Sequence, residues 1–74
     1  MRRDQWLAEF ADRVGLDPPT EEEVKRLLDL AATAAHSSER TAAPIACWIA
    51  GRTDRSFDEL DEIAGSIAPA DEDG

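Results

Sequence analysis

A small all-α domain is the fold this sequence predicts, and three observations point to it. Apolar residues recur at helical spacing rather than in the alternation a strand would show. Two S/T-x-x-E capping boxes, Thr20 with Glu23 and Ser56 with Glu59, announce helix starts. Gly15, Gly51 and Pro69 stand where the periodic stretches stop. The expectation is a compact four-helix bundle of short helices with a buried third helix. Residues 1–67 would form a single helical domain and residues 68–74 a disordered acidic tail.

The first helix is expected over about residues 4–14, with Asp4 as N-cap and Trp6, Leu7, Phe10, Ala11 and Val14 on its apolar side. Gly15 supplies the left-handed stop, and Leu16 should fold back on the last turn. The rigid Asp17-Pro18-Pro19 corner leads to Thr20 and a second helix at about 21–38. Its inner side reads Val24, Leu27, Leu28, Ala31, Ala34 and Ala35, and Glu21–Lys25 and Glu22–Arg26 are surface pairs. The third helix, about 42–51, is the uncharged run AAPIACWIAG. Thr41 is its expected N-cap, Pro44 fits its first turn, and Gly51 should end it in the left-handed conformation. Because apolar residues cover nearly its whole circumference, we expect it to be the most enclosed element, with Trp48 in the core and Trp6 likewise buried. The fourth helix, about 57–67, carries Phe57, Leu60, Ile63, Ala64 and Ile67 on one side.

Net charge is −9, from 17 acidic and 8 basic residues, which argues against nucleic acid and against an anionic membrane as partners. No segment reaches the roughly 20 apolar residues of a membrane span. Cys47 is the single cysteine and His36 the single histidine, so no intramolecular disulfide is possible and the usual zinc ligand sets cannot be assembled. A cytoplasmic protein with no metal or cofactor is expected. Cys47, in an apolar run, reads as an inert thiol. One Lys against seven Arg, and no Asn or Tyr, suggests a GC-rich genome.

Two polar groupings are candidates for partner contact. His36, Glu39 and Arg40 are spaced i, i+3 and i+4, so on a helix they share a face, where they either grip an anionic group or satisfy the helix junction. Asp58, Glu59, Asp61 and Glu62 place four carboxylates within five residues of a helix that has no cation of its own, a surface that would steer a basic partner. Neither grouping specifies a pocket or a substrate, so no catalysis is expected. The small core further suggests a weak homodimer, or an obligate partner surface on helices one and four.

Trp-Leu-x-x-Phe at Trp6 to Phe10, Asp-Pro-Pro-Thr-x-x-Glu at Asp17 to Glu23, and Ala-His-x-x-Glu-Arg-x-Ala-Ala-Pro at Ala35 to Pro44, followed by Ile49-Ala50-Gly51, resemble a small domain of unknown function from GC-rich Gram-positive bacteria. That family occurs alone or fused to the C-terminus of molybdenum cofactor guanylyltransferase, the molybdopterin-guanine dinucleotide biosynthesis protein. The resemblance spans about residues 4–67 and implies a pathway context, with no catalytic residues. The glycine-rich nucleotide motif of the guanylyltransferase is absent. The resemblance implies a non-enzymatic accessory or protein-interaction module acting with molybdenum cofactor maturation or a molybdenum enzyme such as formate dehydrogenase. The alternative is an acidic regulatory helical protein, antitoxin-like or antirepressor-like, that masks a basic site on its partner.

Overall fold

The computed structural model describes residues 1–67, and the expected tail at 68–74 lies outside them. Four helices follow one another: α1 (Arg3–Val14), α2 (Glu21–Ser37), α3 (Ala42–Gly51) and α4 (Phe57–Gly65). The described residues contain no strand.

The capping chemistry explains most of the boundaries. Thr20 Oγ1 accepts from the Glu23 N–H at 3.1 Å while Glu23 Oε1 accepts from the Thr20 N–H at 2.8 Å. Ser56 and Glu59 repeat this exchange at α4, at 3.2 and 3.1 Å. Gly15 takes φ 85°, and the N–H groups of Gly15 and Leu16 donate to the carbonyls of Asp12 and Ala11, the paired bonds of a Schellman ending. Leu16 nonetheless stays exposed rather than folding onto the last turn.

Other ends differ from expectation. α1 begins before Asp4, with the Gln5 side chain accepting from the Arg2 N–H at 3.0 Å, and Asp4 pairs instead with Arg3 at 2.9 Å. Thr41 has helical φ and ψ and makes no side-chain cap, because the carbonyls of Glu39 and Arg40 already receive the Ala42 and Ala43 N–H groups in a turn that runs into α3. Gly51 is the last residue of α3 and has no positive φ, so it is not a left-handed stop. α4 ends two residues short of Ile67, where Ser66 Oγ donates to the Ile63 carbonyl at 2.7 Å.

Packing departs further from the expected compact bundle. α2 is the hub: α3 and α4 both pack on it, whereas α1 touches the rest only sparsely. The molecule measures 45 × 26 × 18 Å, and its radius of gyration of 13.8 Å exceeds the about 11 Å of a compact chain this long. Among the described residues only Ala11 and Leu30 are buried, Leu30 being 6% exposed. Leu30 stands on the inner stripe with Leu27, Ala31 and Ala34, while Leu28, which the sequence placed inside, is exposed.

The third helix is not buried. Its small residues Ala42, Ala43, Ala46, Cys47 and Ala50 form the half-covered side, and Cys47 Sγ–H donates to the Leu27 carbonyl of α2 at 3.7 Å. α2 offers its own half-covered Ala31, Ala34 and Ala35, so the two helices meet along an alanine-lined seam. Ile45, Trp48 and Ile49, on the opposite side, face away from it, and Trp48 is 63% exposed. The physical reason is a shortage of elements. With α4 docked on α2 and α1 standing off, no element among the described residues covers the outer side of α3.

Candidate interaction surface

The corner at residues 36–40 does not form the shared helical face that the spacing suggested. α2 stops at Ser37, and Ser38 leaves the helix with φ −142° and ψ −100°, so Glu39 and Arg40 belong to the turn before α3. His36, Glu39 and Arg40 are all exposed, and neither Glu39 nor Arg40 joins an ion pair among the described residues.

The acidic start of α4 proves largely structural. Glu59 is held by the capping box, and Asp58 and Asp61 both accept from Arg26 Nη2 of α2, at 2.9 and 2.8 Å. Glu62 alone of the four has neither an ion pair nor a side-chain hydrogen bond among the described residues. Arg26 was expected in a surface pair with Glu22, but its side chain is only 22% exposed and lies 5.4 Å from the centre of the Phe57 ring. The hydrogen bond to Asp61, then that to Asp58, raises the guanidinium's pKa above its already high ordinary value, so the cation persists at any working pH. The signal in the sequence that points to it is that α4 has four carboxylates and no cation, which calls for one from another helix.

What remains exposed is apolar. On α1, Trp6, Phe10 and Val14 follow at i, i+4 and i+8 as one stripe, about 12 Å long at 1.5 Å per residue. The Trp6 and Phe10 rings stack with centroids 5.1 Å apart and planes at 26°, although Trp6 is 53% exposed and so is not a core residue. Beside them Glu9 and Arg13 pair at 2.7 Å, and these four residues with Met1 line a shallow recess of about 340 Å³. On α3, Ile45, Trp48 and Ile49 form the second stripe, and the Arg52 guanidinium lies 4.8 Å from the Trp48 ring centre. Single exposed apolar residues need no explanation, but here they gather into two stripes that carry both tryptophans.

The family model for a domain of unknown function, DUF6457, matches residues 1–69. The chain belongs to that family. No curated protein and no solved structure matches it. For this DUF6457 chain, no helix among the described residues is long and apolar enough to cross a membrane. Cys47 is half-buried and its burial pushes the thiol pKa up, which keeps it protonated and unreactive near neutrality.

Because Arg26 ties α4 to α2, Arg26→Ala should loosen that helix selectively. Hydrogen exchange should show the α4 amides losing protection while those in the middle of α2 keep theirs. Equal protection across α4 in both proteins would show that Phe57 and Leu60 dock the helix without it.

Proposed function

We propose that this DUF6457 domain is a non-enzymatic protein-interaction module that works in the cytoplasm beside molybdenum cofactor maturation or a molybdenum enzyme such as formate dehydrogenase. The observation that carries the first half is the pair of uncovered aromatic and aliphatic stripes on α1 and α3, in a chain with two buried residues among those described. A domain that leaves most of its large apolar side chains in water gains its stability and its purpose from association. The molybdenum context rests on the likeness of the Ala35–Pro44 and Asp17–Glu23 segments to domains fused to the guanylyltransferase. The alternative reading, an acidic decoy masking a basic site, loses support because Asp58, Glu59 and Asp61 are engaged within the chain.

Affinity purification of the tagged chain from a bacterium that encodes it tests the proposal, with enrichment compared at low and high salt. Recovery of the guanylyltransferase or a molybdenum enzyme subunit is the expected result, in an association that slows as salt rises, given the net charge of −9. Recovery of a toxin or a repressor instead would replace this reading with the alternative.

A further inference from the structure

We infer that the α1 and α3 stripes cover each other between two copies of this chain: Trp48 of one copy seats in the recess beside Trp6 and Phe10 of the other, and reciprocally. The inference deepens the interaction-module reading, on which it rests, by naming the first occupant of its surface.

Area gives the first argument. The accessible surface is 5981 Å², whereas a compact monomer of 8.1 kDa exposes about 4,500 Å². The surplus goes with the open, 45 Å long shape of the chain, and its apolar part includes Trp6, Phe10, Val14, Ile45, Trp48 and Ile49 on the two stripes, each more than half exposed.

Charge gives the second. Two copies of a chain carrying −9 repel unless they meet where the negative charge is not. Residues 1–16 hold Arg2, Arg3 and Arg13 against Asp4, Glu9 and Asp12 and are neutral. Residues 39–56 hold Arg40, Arg52 and Arg55 against Glu39 and Asp54 and carry +1. The excess acid therefore lies on α2, on α4 and beyond, away from both stripes.

The same charges choose the pairing. α3 against α3 would oppose Arg52 with its own copy, and α1 against α1 would leave Trp48 uncovered. With α1 against α3, the Arg52 that rides on Trp48 approaches the Glu9–Arg13 pair at the border of the recess, where it would share the Glu9 carboxylate with Arg13. At about 340 Å³ the recess has the size of a small ligand site and admits an indole. Two identical contacts then close the assembly with two-fold symmetry, burying both stripes of each copy.

Sedimentation of the full chain tests this. The expected species is a dimer of about twice 8.1 kDa, with Phe10→Glu and Trp48→Lys each weakening it by about 30-fold or more, the loss typical of a hot-spot residue. Mixing the two variants should restore a heterodimer, because one contact is then native and the other opposes Glu with Lys. If either variant loses helicity by circular dichroism, the exposed swap Glu9→Arg with Arg52→Glu serves instead: each alone weakens the dimer and the two in one chain restore it. A wild-type monomer at hundreds of micromolar would overturn the inference, as would a dimer indifferent to these changes or variants that fail to rescue one another. A monomer that still enriched a molybdenum enzyme would remove the dimer and leave the proposed function standing, whereas a dimer without such a partner would do the reverse.

Discussion

Leu30→Ala should remove the larger part of the chain's stability. Leu30 is the one large side chain among the described residues that is almost wholly buried, at 6% exposed, and it sits on α2, the helix on which both α3 and α4 depend. Truncating a buried leucine costs about 2–5 kcal/mol, and a core this small supplies only about 3–5 kcal/mol in all. At roughly 4–8 °C per kcal/mol, the thermal midpoint should fall by at least about 10 °C, read from the helical circular dichroism signal. A midpoint within a few degrees of the wild type would mean that the hub is held by something other than the Leu30 contact.

Trp48→Ala should behave in the opposite way, with an effect that depends on concentration. At 63% exposure the indole contributes little within one chain, so a dilute sample should lose less than about 1 kcal/mol. In a concentrated sample, where the stripes are covered, each copy should lose about 2–4 kcal/mol, since a buried aromatic at an interface centre is worth that much. Melting curves at two concentrations 100-fold apart separate these regimes, because association makes the midpoint of an oligomer depend on protein concentration. A drop of equal size at both concentrations would return Trp48 to a role inside the single chain.

The helices were legible in the sequence because their determinants are local. Thr20 with Glu23, Ser56 with Glu59, and Gly15 all act within one turn, and each does what its position announced. The failures came where a local pattern had two outcomes. The AAPIACWIAG run is apolar all round, which fits a central helix but equally fits a helix with small residues against a neighbour and large ones turned outward. Periodicity tells which residues share a face and is silent on whether another element exists to cover it. Leu30 and Leu28 lie on different sides of α2, and only the arrival of α3 and α4 decides which is inside. Arg26 illustrates the same limit for charge. Its carboxylate partners lie 32 and 35 residues away, whereas Glu22 lies within a turn, so the near candidate was the visible one.

The alanine seam between α2 and α3 has a bearing on how tightly anything can hold Trp48. A methyl side chain has no rotamers to settle, so the separation and roll of the two helices are dictated by backbone against backbone, with no soft layer between them. The backbone that carries the indole is therefore placed chiefly by close helix-to-helix contact, and in the dimer proposed above it would dock already positioned. Little ordering of that backbone is required on docking, and more of the contact energy survives as affinity than a stripe carried on long, mobile side chains would retain.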